Sequence, residues 1–517
     1  MKEKFQNIIK DILKFQKEAS FSATVLLTVA IVVVLNFLAY QIFFRIDLTK
    51  NRDYSISPVT KDVLKNLDDV VSIKTYFSGN SPAQFIQVKK DVADILEAYQ
   101  NYSGGKVDVE AIDPSKDPSI KADLTNKGIP EIQFNDYGQD KFQVINGFMG
   151  LAIEYNDKTE VIPMIQDTNN FEYQLTTKIK KITQTKEMSV GYVTSNGTAS
   201  MDEDLKTVSG GLRTLYDLVP VDLSDKAPLP KDISTLIIVG PTKKFSDDQL
   251  KKIDSFLMSG GSVAIYADGV SVDRSMKSDV NDVNLNKLLD KYGLKINNDL
   301  VIDSSAGVAA FNQGFVTFNV EYPYWPRLTA GSFAKDNPAV AKLNNVTLPW
   351  VSSITVSADD KISGRREVLA HTSNRSSLIT GKFDLNPQQD FRPTDVSEHT
   401  VAVLVSGKIK SAFGKGETDK GRLLVVSDAD FMRDIFLQNQ PDNANFFSNA
   451  IDSLALDQNF ALIRAKGVTS HPLKSDLTEA QKARIRYGNV FGLTVVVMAY
   501  GLYRYSAPRR KKQESLA

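Results

Sequence analysis

Three aspartates, Asp268, Asp428 and Asp430, are the residues of this chain best placed to do chemistry. Each follows a short apolar run that reads as a buried parallel strand, residues 263–266 for the first and 422–427 for the other two. Open α/β sheets bind ligands beyond the carboxyl ends of their strands, so carboxylates there could hold a cation or a polar ligand. Aspartates at the same places also serve as turn and helix-capping residues, and both readings stand at the level of sequence. A hydrolase built on them would need a nucleophile–base pair, and none is visible.

Other chemistry-bearing residues are scarce. The chain has 3 histidines and no cysteine. His371 and His399 fall in a loop-rich stretch and His471 in the tail, so a Cys–His or Ser–His relay has no components in one place. Without cysteine or His-Glu-x-x-His, zinc has no ligand set, and no metal or cofactor is expected. Ser406-Gly407-Lys408-Ile409 lacks both the leading glycine and the hydroxyl of a phosphate-binding P-loop, and no dinucleotide glycine fingerprint occurs. Aromatics concentrate in Glu321-Tyr-Pro-Tyr-Trp-Pro-Arg327, supplying Tyr322, Tyr324 and Trp325, with Trp350 further on. Such a cluster forms a sugar-binding platform or a protein interface, or else plugs the base of a loop. Lys+Arg and Asp+Glu both number 62, so net charge gives no pull toward nucleic acid.

The elements that must carry these residues follow from periodicity. Residues 69–186 read as an α/β domain: strand 70–77, a helix over 84–102 with Phe85, Val88, Val92, Ile95, Leu96 and Tyr99 at helical spacing, and strand 106–112. A short helix at 120–126, strands at 142–145, 151–155 and 160–165, and a helix over 171–184 complete it. The order βαβαβββα predicts a thioredoxin-like scaffold with an additional strand. Ser78-Gly79-Asn80-Ser81-Pro82 stands where an oxidoreductase would present Cys-x-x-Cys, which excludes that chemistry.

Residues 187–460 alternate strand and helix: strands at 189–194, 219–223, 235–239 and 263–266, with helices at 202–216 and 247–258. The second helix is capped by Ser246 and ended by Gly260-Gly261. This pattern predicts a doubly wound parallel sheet, interrupted by a β-rich insertion over 304–420 and resuming at 422–427, with a helix over 444–456.

Residues 21–44 form an apolar run without charge, longer than the roughly 20 residues a helix needs to cross a bilayer. It is read as a retained membrane span. Residues 1–20 place Phe5, Ile8, Ile9, Ile12 and Leu13 on one face among lysines, an interfacial amphipathic helix or a simple basic flank. A second span is expected at 487–503, after a linker at 461–486 and before a basic tail at 504–517, with both termini cytoplasmic by the positive-inside rule. Asn36 in the first span, and Gly488 with Gly492 in the second, are candidates for close helix packing.

Between the first span and the outer region, residues 45–68 hold a juxtamembrane motif and a helix. The motif, Arg45-Ile-Asp-Leu-Thr-Lys-Asn-Arg-Asp-Tyr-Ser-Ile-Ser57, presents Arg45, Asp47, Leu48, Thr49, Tyr54, Ser55 and Ser57. Ser57-Pro58 also reads as an N-cap with proline at the first helical position. This segment resembles the juxtamembrane signature of GldG-type proteins, membrane-anchored auxiliary components of ABC transport systems. Leu288-Leu-Asp-Lys-Tyr-Gly-Leu-Lys-Ile296 with Asn298-Asp-Leu-Val-Ile-Asp303, and the run 422–430, resemble the family more weakly.

The resemblance implies a glutamine-amidotransferase-like fold for the sheet domain, here without the catalytic cysteine. It also implies a non-catalytic extracytoplasmic subunit that handles substrate or gates transport beside a permease and a separate P-loop ATPase. A membrane-anchored module that binds cell-envelope glycan through the aromatics is the alternative from another class.

Overall fold

The computed structural model describes residues 55–456 apart from short breaks, together with 478–514 and isolated positions within 26–34 and 460–463. Two compact units divide the chain, Met1–Val468 and Thr469–Ala517. Arg45, Asp47, Leu48, Thr49 and Tyr54 of the juxtamembrane motif, Asn36 and most of the first apolar run lie outside the described residues.

The first unit opens with helix α1 (Pro58–Lys65), capped by Ser57 Oγ on Thr60 N as the Ser-Pro pair predicts. Strand β1 (Val71–Phe77), helix α2 (Ile86–Tyr102) and parallel strand β2 (Val107–Ile112) then form the expected βαβ unit. Helix α3 (Ile120–Asn126) follows, then β3 (Ile132–Tyr137), β4 (Phe142–Gly147), β5 (Met149–Tyr155), β6 (Lys158–Ile162) and helix α4 (Phe171–Thr183). The sheet order is β2-β1-β5-β6, with β5 antiparallel to both of its neighbours. The sequence pattern does not announce strand β3, because Asn135-Asp136 within it is a turn signal. Among the described residues it pairs only with β4, in a separate hairpin. Ile73, Val92, Leu96, Tyr99, Ile153, Leu175 and Ile179 close the core between sheet and helices.

A larger sheet in the same unit comprises β7 (Ser189–Val193), β8 (Asp217–Val221), β9 (Ile233–Val239), β10 (Ser262–Tyr266), β11 (Arg365–His371), β12 (Thr400–Ser406) and β13 (Arg422–Val426). Its order is β11-β12-β13-β10-β9-β7-β8. From β8 to β13 every neighbour is parallel, in the doubly wound order 2-1-3-4-5. Residues flank it on both faces by strict alternation: Ile237, Ala264, Tyr266, Leu424 and Val426 face one cluster, Leu236, Ile238, Val263, Ile265, Leu423 and Val425 the other. Helices α5 (Lys206–Arg213) and α7 (Pro441–Ala455) cover the first face, and α6 (Asp247–Met258), with its Ser246–Gln249 capping box, covers the second.

Two expectations are corrected by the sheet and its first helix. Residues 304–420 are not simply inserted, because β11 and β12 extend the sheet antiparallel beyond β13. Helix α5 begins at Lys206 rather than at 202, because Ser200 and Asp204 hold the preceding residues in a turn. The distant Asp434 carboxylate then caps it, accepting from Lys206 N at 3.0 Å and Thr207 N at 2.9 Å.

The two sheets are stitched through α7. Buried Asp452 accepts from Tyr173 Oη of α4 at 2.5 Å and from Tyr216 Oη at 2.7 Å.

The second unit contains helix α8 (Glu479–Glu514), with Val490, Val496, Met498 and Leu502 exposed by 57–69%. Among the described residues no single helix is long and apolar enough to cross a membrane. Two parts of α8, Ala480–Gly492 and Thr494–Tyr503, meet at 51° and together have the length and composition for one span. A Cβ placed on Gly488 or Gly492 would meet no described atom within 4 Å.

Candidate functional site

The pairing of Tyr266 with Val426 brings Asp268 and Asp428 to the same level at the carboxyl ends of β10 and β13. Asp428 is fully buried. Its Oδ1 accepts from the backbone N–H groups of Asp430 at 2.7 Å and Phe431 at 3.1 Å, while its Oδ2 has no hydrogen-bond partner. Asp268 Oδ1 accepts from Ala429 N at 2.8 Å. Asp430 Oδ1 lies 2.9 Å from Arg433 Nε, and Arg433 reaches Asp204 at 3.8 Å. The three predicted aspartates are thus one cluster, with a guanidinium at its edge.

Burial is the main cause that raises all three carboxyls above the ordinary aspartate range. Asp268 is pushed up to about 6 and Asp430 to about 7; Arg433 holds both back, and Asp268 pushes Asp430 further. Asp428 is raised well above its ordinary value, with Asp268 and Asp430 adding to burial. Other buried aspartates make the contrast clear. Asp254 accepts from Tyr292 Oη, Ser411 Oγ and Ala412 N, Asp299 from Ser353 N and Oγ, and Asp303 from Ser373 N and Oγ. Those carboxylates are structural acceptors, each taking two or more donors, whereas Asp428 Oδ2 takes none.

Access to the cluster is narrow. Gly269 N donates to Ser352 Oγ at 3.1 Å, and a Cβ on Gly269 would stand 1.9 Å from Asn297 O, so only glycine permits this approach. Ser427 Oγ reaches Ser352 O at 2.5 Å, so the segment around Ser352 roofs both strand ends. What remains is a cavity of about 60 Å³ lined by Asp268, Asn281, Asp282, Asn284, Asn286 and Asn298, among others. The switch point between β7 and β9, where doubly wound sheets usually take ligands, is crossed by loop hydrogen bonds. There Thr242 N and Lys243 N donate to Asn196 O at 3.0 and 2.9 Å, and Ala199 N to Val239 O at 2.9 Å. Among the described residues no group of His, Cys, Asp and Glu side chains is arranged to hold a metal ion.

The aromatic cluster, read from the sequence as a platform or interface or as a loop plug, is largely buried. Tyr322, Tyr324 and Trp350 are 0%, 2% and 7% exposed. Trp325 packs edge-on against Trp350 at 5.6 Å and Phe436 at 5.5 Å, and Tyr322 and Tyr324 against Phe391. A sugar stacks on a free ring face, and these rings pack against one another. Among the histidines, His399 Nε2 lies 3.4 Å from Ser397 Oγ, a long contact between near neighbours of one loop, and burial lowers His399 below its usual range. His371 bonds Thr372 O through Nδ1.

Sequence reasoning missed Arg433 and Glu172. The spacing Asp430 to Arg433, one helical turn, was the available signal for the first. Glu172 had none, although it holds the described end of the juxtamembrane motif. Its Oε1 accepts from Ser57 N at 2.5 Å and Thr60 Oγ1 at 2.8 Å, and Thr60 Oγ1 also contacts Thr176 Oγ1 at 3.0 Å. Ile56, Ser57 and Thr60 are buried there, so the chain is clamped onto α4 two residues after Ser55.

Two family models match separate parts of the chain. Residues 50–154 match a domain of unknown function. An uncharacterized protein of Borreliella burgdorferi is 22% identical over 489 residues, 90% of this chain and 94% of that one. Solved structures are more distant: the mmIFT52 N-terminal domain aligns at TM-score 0.35 and 15% identity, over 52% of this chain and 97% of that domain. An exo-β-1,4-mannosidase of an Opitutaceae bacterium aligns at TM-score 0.22 and 11% identity, over 74% and 50%. The family model described as an ABC-type uncharacterized transport system matches residues 187–461, the whole of the larger sheet with its helices, and the chain belongs to this auxiliary family of ABC transport systems.

Proposed function

We propose that the protein is a GldG-like, membrane-anchored extracytoplasmic accessory subunit of an ABC transporter, handling substrate or gating transport without chemistry of its own. Membership of the auxiliary family carries this reading. The P-loop ATPase is then a separate polypeptide, since no Gly-x4-Gly-Lys-Ser/Thr occurs in the chain. The small size of the cavity beside Asp268 and the lack of a nucleophile–base pair in the sequence support a non-catalytic role. The order β2-β1-β5-β6 supports the thioredoxin-like reading of the smaller sheet, and the order 2-1-3-4-5 the amidotransferase-like reading of the larger one.

Residues 21–44 and 487–503 are the anchors of this proposal, with both termini inside and the sheets outside. Glu172 is the joint. By fixing Ser57 and Thr60 to α4 it turns movement of the anchor into movement of the body. The natural absence of cysteine makes the location testable. Single cysteines at Ser259 and Lys512 are exposed to a membrane-impermeant maleimide on intact cells. Labelling at 259 alone, with 512 reacting only after lysis, is the expected result; protection of 259 contradicts the proposal.

A further inference from the structure

The guanidinium of Arg433 stands between two carboxylates in unlike surroundings. Its Nε lies 2.9 Å from Asp430 Oδ1 and its Nη1 3.8 Å from Asp204 Oδ1. Neither contact is a formed hydrogen bond: 3.8 Å is too long, and the buried Nε has no hydrogen-bond partner, so its N–H is not aimed at Oδ1. Gly240, at the end of β9 with a φ of +56°, gives the group its room, since a Cβ there would stand 3.2 Å from Nη2. Arg433 is held near both carboxylates and locked to neither.

The two acceptors belong to different turns. Asp430 follows β13 in the cluster with Asp268 and Asp428, and its side chain is 16% exposed against 37% for Asp204. Solvation therefore favours charge on Asp204, while burial and the Asp268 charge raise Asp430 to about 7 against the pull of Arg433. The ionisable groups around Asp430 are Asp268 from the end of β10, Asp428 from the end of β13, Arg433 from its own turn and Asp204 beyond it. Asp204 Oδ2 accepts from Ser200 N at 2.9 Å, and Asp204 O accepts from Asp434 N at 3.0 Å. Asp434 in turn caps α5 through Lys206 N and Thr207 N. Turns 200–204 and 430–434 thus form one clasp over the start of α5, with the Arg433 side chain inside it.

We infer that this clasp is proton-sensitive: when Asp430 takes a proton, the Arg433 charge passes to Asp204 and tightens the entry to α5, and when Asp430 ionises, Arg433 returns to it and the entry loosens. The structure, with Nε nearer Asp430, is the second arrangement. The inference does not depend on the transport reading, since it rests on the two turns alone. A partly exposed ion pair changes local opening by about threefold, which sets the size of the effect.

Hydrogen–deuterium exchange of the full chain in detergent, read by mass spectrometry between pH 5.5 and pH 8 and corrected for the intrinsic exchange rate, tests it. The peptide 200–208 carries the clasp, and 247–258, in α6 on the other face of the sheet, is the reference. In the wild type, protection of 200–208 is expected to fall about threefold more than that of the reference as pH rises through the neutral range. Asp430→Asn keeps the low-pH level throughout, and Asp204→Asn, at the more exposed of the two carboxyls, shows no response to pH. Melting of both variants at pH 5.5 checks the fold, and the Asp204→Asn comparison decides alone should Asp430→Asn fail to fold. Flat protection in the wild type or an undiminished response in Asp204→Asn overturns the inference. An equal fall in both peptides also overturns it, because the response would then be global loss of stability.

Discussion

Replacing Asp268 with Asn removes the charge that couples the strand-end cluster while keeping the oxygen that accepts from Ala429 N. In the folded protein Asp268 titrates at about 6 against an ordinary value of 3.8. A carboxyl whose folded value is raised gives stability that is complete below the unfolded value and is lost as pH rises through the folded one. At about 1.4 kcal/mol for each pH unit separating the two values, ionising Asp268 costs the fold about 3 kcal/mol at pH 8, of which roughly half is lost between pH 5 and pH 8. Asp428 and Asp430 act in the same direction, since burial raises both and Asp268 adds to it. His399 acts in the opposite direction: its value is lowered, so its contribution is lost as pH falls below about 6.5. Comparing wild type with D268N cancels the histidine. The variant is expected to be the more stable protein at pH 8, with an advantage that grows by about 1–2 kcal/mol from pH 5 to pH 8. Urea midpoints at closely spaced pH values measure it. An advantage that stays constant across that range would refute the account of Asp268 as a carboxyl raised by burial.

Three further substitutions probe the scaffold. Glu172→Ala leaves Ser57 N and Thr60 Oγ1 without their shared acceptor in a buried place, a loss of about 2–4 kcal/mol, and proteolysis near Ser57 should accelerate. Gly269→Ala forces a Cβ against Asn297 O and is expected to cost about 3 kcal/mol or abolish folding, read by denaturation and expression yield. Ser246→Ala breaks the capping box of α6 and should cost about 1 kcal/mol by urea midpoint, without touching the cluster.

What the sequence disclosed was local. Capping at Ser57 and Ser246, the buried runs of β9, β10 and β13, and the position of Asp268 and Asp428 beyond strand ends all follow from patterns within a few residues. The roof over those aspartates does not, because Gly269, Asn297 and Ser352 meet only through the folded chain. Strand β12 is an apolar run, but nothing in Val401 to Val405 says that its neighbour is β13 and its direction antiparallel. The aromatic cluster shows the same limit. Residue type announced a large contact area, while the neighbours that bury it, Phe391 and Phe436, lie far off in sequence. Glu172 stands 115 residues from Ser57 and was unreadable for that reason.

Partnership with a transporter is the central claim, and mild-detergent affinity purification of the tagged native protein with mass spectrometry of co-eluting chains tests it most directly. The account predicts recovery of a polytopic permease and a P-loop ATPase in fixed ratio with this chain. A stable particle lacking any permease or ATPase would contradict it.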